Sequence, residues 1–389
     1  MRVLLIDPWG IHNTAEYLNG LIYGLSGAVS LDVFTNYYFV QHRETSVTVH
    51  RLFFQWSEKM KDGKLRKLIR GAEYVLSYVA ILRHLRKVKY DVVHINWLLF
   101  YRMDILFLQK IKKYVGKLVY TAHNVLPHVN GNAYKAQLDA IYHTVDNIIV
   151  HGETVKQEML SYFPDLQGKI YVQKHGCVLS PVPAIQKDAL PQEHKSKLES
   201  YHKIFISCGV VFPNKGMDRL CRIWMDHYQN QDALLIVGGK QTAEDPVWET
   251  MKPEIHRVHN MILLDGFIAD AALNAYLNAA SAIVLPYRHA SMSGVVFTAA
   301  QFAKPIICTD VGSLPEYLED RVDSFCCAND DVTLKETMDL AMELPLEELR
   351  KMGGLLRMHI AEKCDWVRIC AGVIRNVYGG AFTDGKDEW

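Results

Sequence analysis

Two doubly wound α/β domains, each with a parallel sheet, are the fold class this sequence predicts, and three observations predict it. The first is length: 389 residues exceed what one core organises and suit two domains of somewhat under two hundred residues each. The second is a recurring unit, a short aliphatic run followed by a polar loop and an amphipathic stretch, which reads as strand, loop and helix. The third is a break in composition. Residues 177–201 turn to Pro, Ser, Lys and Gln, with Pro181, Pro183 and Pro191, and the strand-helix pattern then restarts. The expected organisation is a first domain over 1–178, a linker over 179–201, a second domain over 202–363, and a C-terminal helix and tail over 364–389 returning to the first domain.

Composition narrows the class further. Hydrophobic residues make up 49% of the chain, enough for two cores, and no run of about eighteen uncharged apolar residues argues for a membrane span. The opening MRVLLIDPWG is read as a buried strand, too short for a signal-peptide core. Net charge is zero but uneven: residues 1–178 hold 22 Lys and Arg against 14 Asp and Glu, and stretch 51–90 alone holds 11 basic and 3 acidic residues. All eight cysteines lie from Cys177 onward without a Cys-x2-Cys pair, so zinc and disulfide frameworks lack support and a reducing, cytoplasmic setting is expected.

In chain order, residues 2–6 read as a central strand, followed by the loop DPWGIHN, with Asn13 or Thr14 capping a helix. Ligands bind at the carboxyl ends of strands in such sheets, so Asp7, Trp9, Gly10, His12 and Asn13 fall where a substrate would lie. Residues 64–90 read as one long helix. Leu65, Leu68, Ile69, Ala72, Val75, Leu76, Val79 and Leu82 recur at helical spacing between basic clusters, which suits either packing in the core or resting on an anionic bilayer. Strands at 91–96, 117–122 and 147–151 end in Trp97, in His123 and Asn124, and at His151. A His-Asn pair at a strand end seldom serves packing.

In the second half, strand 203–208 leads through Gly209 to Lys215-Gly216 and a helix, and strand 233–237 ends in Gly238-Gly239. Stretch 281–317 is the centre of the half: a strand, a turn at Ser291, Ser293 and Gly294, a helix of small residues from Val295, a second strand, and a loop ending at Glu316. The first amides of that helix lack internal partners and suit an anion such as a diphosphate, with the Lys215 ammonium close by.

The order of these pieces resembles the nucleotide-sugar site of GT-B glycosyltransferases, in particular glycosyltransferase family four, over roughly residues 1–380. The pieces are His123-Asn124 with Pro127-His128, Val150-His151-Gly152, Gly209 with Asn214-Lys215-Gly216, Val237-Gly238-Gly239, Asp265-Gly266-Phe267, Pro286 with the Ser-Gly turn, Lys304-Pro305, and Thr309 through Glu316. The resemblance implies two Rossmann-like domains facing a cleft, the acceptor in the first and the donor in the second. It implies transfer of a hexose from a UDP- or GDP-linked sugar to a hydroxyl of a glycan or lipid-linked acceptor, in cell-surface polysaccharide or glycoconjugate synthesis. His123 would contact the transferred sugar or donor phosphate, and Asn124, His151, Ser291 and Glu316 would lie near the sugar. Lys215, Ser293, Gly294 and Val295 would hold the diphosphate, Gly266, Phe267 and Thr298 the nucleoside, and Trp9, Gly10 and Asn13 the acceptor. No cofactor or metal is expected beyond the nucleotide sugar as co-substrate, and no Asp-x-Asp motif occurs.

The chain departs from that pattern at three places. Val210 stands where relatives carry an Arg, leaving Arg288 as a candidate substitute cation, and Ala290 and Thr298 stand where they carry a Glu pair. Retention and inversion therefore both stay open, with Asp7 or His12 as the base for inversion. A GT-B-shaped epimerase or phosphorylase and a non-catalytic donor-binding partner are the rival readings. A Rossmann dehydrogenase is disfavoured because no Gly-x-Gly-x-x-Gly follows the first strand. Nucleic acid is not an expected partner, whereas peripheral contact with an anionic membrane through residues 51–90 is.

Overall fold

A computed structural model describes residues 1–11, 13–127, 131–183, 186, 188–241 and 245–380. His12, His128 and the tail beyond residue 380 lie outside the described residues. The chain divides into two compact units, Met1–Val178 with the segment from Cys364 onward, and Leu179–Lys363.

The first unit runs β1 (Arg2–Asp7), α1 (Asn13–Ser26), β2 (Ser30–Asn36), β3 (Thr48–Phe53), α2 (Lys64–Lys87), β4 (Tyr90–Ile95), α3 (Tyr101–Ile111), β5 (Val115–Thr121), α4 (Lys135–Thr144), β6 (Asn147–Val150), α5 (Glu153–Tyr162) and β7 (Ile170–Val172). Its seven strands form one sheet in the order β3-β2-β1-β4-β5-β6-β7, parallel throughout. The order reverses between β1 and β4, where Leu5 pairs with His94, and a reversal of this kind opens a crevice at the strand ends.

The second unit runs α6 (Gln192–Ser200), β8 (Lys203–Cys208), α7 (Met217–His227), β9 (Ala233–Gly239), α8 (Pro246–Arg257), β10 (Met261–Asp265), α9 (Asp270–Ala279), β11 (Ala282–Leu285), α10 (Val295–Gln301), β12 (Ile306–Thr309), α11 (Leu314–Tyr317), β13 (Ser324–Cys327), α12 (Asp331–Glu343) and α13 (Leu346–Lys363). Its six strands are also parallel, in the order β10-β9-β8-β11-β12-β13, with the reversal between β8 and β11. Both sheets have the doubly wound topology the sequence predicts. The stretch expected as linker is partly ordered: α6 carries an i,i+4 Glu193–Lys197 pair, and it packs through His194 on the Tyr276 hydroxyl and Lys197 on the Met261 carbonyl.

From Cys364 the chain forms α14 (Trp366–Val373), whose Trp366 is buried in the core of the first unit. The contact is close because α1 offers Gly20 and Gly24: a Cβ on Gly20 would sit 2.0 Å from the Trp366 ring. Any larger residue there would push the helices apart.

Helix α2 is the clearest departure from the helical spacing. Its inward face is Tyr74, Ser77, Tyr78, Ile81 and Leu85, with Glu73 accepting from the amides of Trp56 and Ser57 and Tyr74 donating to Asp104. Of the two readings the stripe allows, core packing does not hold for Leu65, Leu68 and Leu76, which are 62%, 72% and 63% exposed, whereas Ile69, Val79 and Leu82 are half-buried. The Glu73 carboxylate and the Tyr74 hydroxyl are buried with hydrogen-bond partners, the Tyr78 ring stacks on Phe107 at 4.5 Å, and their burial turns much of the aliphatic stripe outward.

Candidate active site

In the first unit the polar residues gather at the β1/β4 reversal. Asp7 ends β1 fully buried. Its Oδ1 accepts from the amides of Trp9 and Gly10, both at 3.0 Å, and its Oδ2 accepts from Asn96 Nδ2 at 2.6 Å. Burial pushes this carboxyl up to about 6, against the pull of those hydrogen bonds. Asp7 therefore shapes the loop after β1 and holds Asn96; with no exposed surface and both oxygens engaged, it does not present a base to an incoming hydroxyl, which corrects its reading as a general base. Trp9 stands half-exposed over that loop, and Asn13 begins α1.

His123 follows β5. Its ring stacks on Trp97 at 4.3 Å and 5°, and Tyr17 of α1 meets its edge at 4.8 Å. Its Nε2 lies 3.2 Å from Asn96 Oδ1 and its Nδ1 lies 3.3 Å from His151 Nε2. His151, buried at the end of β6, places Nδ1 3.0 Å from the Gln173 carbonyl. Burial pushes the His123 imidazole well below its ordinary value, helped by His151, and it lowers His151 to about 4. Asn124 is half-buried beside them. The buried Trp97 indole nitrogen has no acceptor among the described residues, so an unpaired donor lies at the same strand ends. The sequence brings out His123 and His151 but misses Asn96, whose one signal is its position at the carboxyl end of β4.

In the second unit the loops after β8 and β11 are pinned together. Gly216 adopts the left-handed conformation at φ 64°, and a Cβ there would lie 1.9 Å from the Pro286 carbonyl oxygen, so only glycine fits. The preceding Lys215 is held half-buried with Nζ 3.9 Å above the Tyr287 ring. Burial lowers the ammonium to about 8, and among the described residues no carboxylate lies within ion-pairing distance of it. Tyr287 shares a hydrogen bond with Ser293 Oγ at 3.1 Å, and its carbonyl accepts from Thr309 Oγ1 at 2.5 Å. Lys215, Tyr287 and Ser293 thus form one surface.

Arg288 does not replace the missing cation. Its guanidinium makes a two-pronged bond with Asp218 at 2.6 and 2.7 Å and donates to the Pro213 carbonyl, stapling the Lys215 loop to the β11 loop. Asp218, unremarked in sequence, is thereby a supporting residue.

The helix that follows is shorter than the sequence suggests. It has seven residues from Val295; Gly294 sits at φ −61°, and the Val295 amide already faces Ser293 Oγ at 3.4 Å. A seven-residue helix offers little dipole, so the fixed positive charge here is Lys215. Ser291 is buried, its carbonyl taking the Ser313 amide, and Thr298 is half-buried on α10. Glu316 lies on α11, and Gly266 at φ 99° precedes a Phe267 that is 80% exposed, outside the core. Among the described residues no His, Cys, Asp and Glu cluster has the form of a metal site.

Protein-family comparison matches residues 202–341 to glycosyl transferases group 1 and residues 40–179 to glycosyltransferase family 4. With two parallel-sheet units, these matches make the chain a GT-B glycosyltransferase resembling family four, an enzyme of the hexosyltransferase class. No curated protein sequence matches it significantly. Among solved structures, sucrose-phosphate synthase from Thermosynechococcus elongatus is similar at TM-score 0.71 and 16% identity, over 98% of this chain and 100% of that one. Anabaena HepE in complex with UDP and glucose is similar at 0.70 and 14%, over 98% and 100%. The catalytic domain of starch synthase IV from Arabidopsis thaliana, bound to ADP and acarbose, is similar at 0.70 and 12%, over 97% and 99%.

Proposed function

We propose that the protein transfers a hexose from a UDP- or GDP-linked sugar to a hydroxyl of a glycan or lipid-linked acceptor. The observation that carries the reading is Lys215: a half-buried ammonium without a carboxylate partner among the described residues, at the strand-order reversal of the second unit. An unneutralised cation at that position suits the diphosphate of a donor. Its charge would be strongest when the leaving group gains negative charge, which is where electrostatic stabilisation lowers a barrier. Ser293 and neighbouring amides would orient the phosphates, and Gly266, Phe267 and Thr298 would contact the nucleoside. The HepE and starch synthase structures hold UDP with glucose and ADP, which supports a nucleoside diphosphate as the ligand class.

The acceptor would bind at the strand ends of the first unit, where Trp9 is exposed and the Trp97 N–H lacks a partner among the described residues. A lipid-linked acceptor is favoured by α2. Its outward Leu65, Leu68 and Leu76, with Trp56 62% exposed nearby, are flanked by Lys61, Lys64 and Lys67, a combination that suits an anionic bilayer surface. No helix among the described residues is long and apolar enough to cross a membrane. The test is incubation of the protein with a panel of UDP- and GDP-sugars and lipid or glycan acceptors, following nucleotide release and product mass. Acceptor-dependent release supports the reading, whereas release of an altered nucleotide sugar without acceptor would mark an epimerase.

A further inference from the structure

The carboxyl of Asp7 and the imidazole of His123 are joined through a single amide, that of Asn96. Hydrogen positions along this chain follow from its fixed end. The Gln173 carbonyl can only accept, so His151 Nδ1 carries a hydrogen and its Nε2 is a lone pair. That lone pair accepts from His123 Nδ1–H. His123 Nε2 then faces Asn96 Oδ1 at 3.2 Å while Asn96 Nδ2 donates to Asp7. Two lone pairs oppose each other there unless His123 Nε2 is also protonated, giving an imidazolium and an Asp7 carboxylate.

A second arrangement satisfies every group. Asn96 turns over, its N–H donates to a neutral His123 Nε2, and its oxygen accepts from a protonated Asp7. Both arrangements hold one proton more than the chain with Asp7 and His123 both deprotonated, and they differ in which end holds it.

We propose that Asp7, Asn96 and His123 share one proton, resident on Asp7 in the empty protein and on His123 once an anion reaches the strand ends of the first unit. On conversion His123 Nε2 gains a proton, released by Asp7 Oδ2 through solvent below the Asp7 midpoint near 6 and taken from solvent above it, and Asn96 rotates half a turn when Asp7 was protonated. Asp7 and Asn96 are then positioning residues, and His123 is a cation that forms only when there is negative charge for it to face.

The surroundings fit this assignment. Among the described residues, the groups around the two ends are Tyr17 of α1, Tyr78 of α2, His94 of β4, His151 and His175. Burial holds His94 near 3, His151 near 4 and His175 near 3, so none offers a resting cation, and Arg70 is ion-paired to Glu58 at 2.7 Å. Burial also disfavours charge at both ends of the chain, which favours the neutral pair when no anion is present. One negative charge within a few ångströms of the imidazolium is enough to reverse that preference by tenfold or more.

The proposal's anion rests on the nucleotide-sugar reading, but its proton chain does not, and NMR separates the two. In the full-length protein with 15N-histidine and 13C-aspartate, the Asp7 carboxyl and the His123 nitrogens are followed from pH 4 to 9, assigned with Asp7→Asn and His123→Gln. In the free protein both groups should report one common midpoint. Asp7→Asn, which retains the shape of the side chain, should lower the His123 midpoint by at least one pH unit without changing the unfolding temperature appreciably at pH 4, where Asp7 is protonated in the wild type. With saturating UDP or GDP at pH 7, His123 should become imidazolium in the wild type and stay neutral in Asp7→Asn. Independent midpoints in the free protein, or a His123 titration unchanged by Asp7→Asn, would overturn the chain. A bound nucleotide that leaves His123 neutral would overturn the anion response. Failure of both nucleotides to bind would count against the donor reading, while the free-protein titration still decides the chain.

Discussion

Lys215 is where residue-scale chemistry is most exposed to test. Replacing it with Ala should lower kcat/KM for the nucleotide sugar on the order of a hundredfold, the scale of losing one electrostatic contact to a leaving group. Because burial lowers its ammonium to about 8, kcat/KM should fall as pH rises through that value, and Lys215→Arg should abolish the descending limb. Asp7 makes a separate prediction for stability. The unfolded chain releases this proton near 4 and the folded one near 6, so the contribution of Asp7 to stability is full below pH 4, falls between 4 and 6, and is gone above. The loss is on the order of 3 kcal/mol and should vanish in Asp7→Asn, read by urea unfolding at pH 4 and 7. Asp104, raised likewise to about 6, acts in the same sense, and the buried His94, His151 and His175 act in the opposite one, so the contribution of Asp7 is read as the difference between wild type and Asp7→Asn. Lys215 and His123 are legible in the sequence because strand ends announce themselves through Gly and Pro. Asn96, Asp218 and Tyr287 are not, because their roles come from partners far away in the chain.

At the scale of elements, α2 shows how a helical pattern can fix the period and leave the buried face open. Spacing locates the helix, but the face that turns inward is decided by Glu73 and Tyr74 finding hydrogen-bond partners on neighbouring segments and by Tyr78 stacking on Phe107. The double change Leu65→Glu and Leu68→Glu should leave unfolding within about 0.5 kcal/mol of wild type, since both side chains are exposed. The same protein should lose at least tenfold in sedimentation with phosphatidylglycerol vesicles. Tyr78→Ala, on the inward face, should instead cost about 3–5 kcal/mol. The staple between the β8 and β11 loops is smaller: Asp218→Asn should cost about 1 kcal/mol, because Arg288 is 40% exposed, while raising KM for the donor.

For the whole molecule, the alternation of strand and helix, the composition break and the ordered motifs are enough to make two doubly wound domains readable from the amino-acid sequence. In both sheets the order reverses beside the first strand of the unit, and candidate residues from several separate segments meet there. What sequence does not supply is the wiring within each meeting point, since hydrogen-bond partners across 70 to 90 residues leave no local pattern. We expect transfer to proceed in EDTA at an unchanged rate, because the cation assigned to the diphosphate is a side chain. The most direct test of the central claim is calorimetric titration of UDP and GDP into the full-length protein and its Lys215→Ala variant. Binding of one nucleotide to the wild type, weakened at least tenfold in the variant, is the predicted result. Equal affinity in the two proteins, or no binding to either, would contradict it.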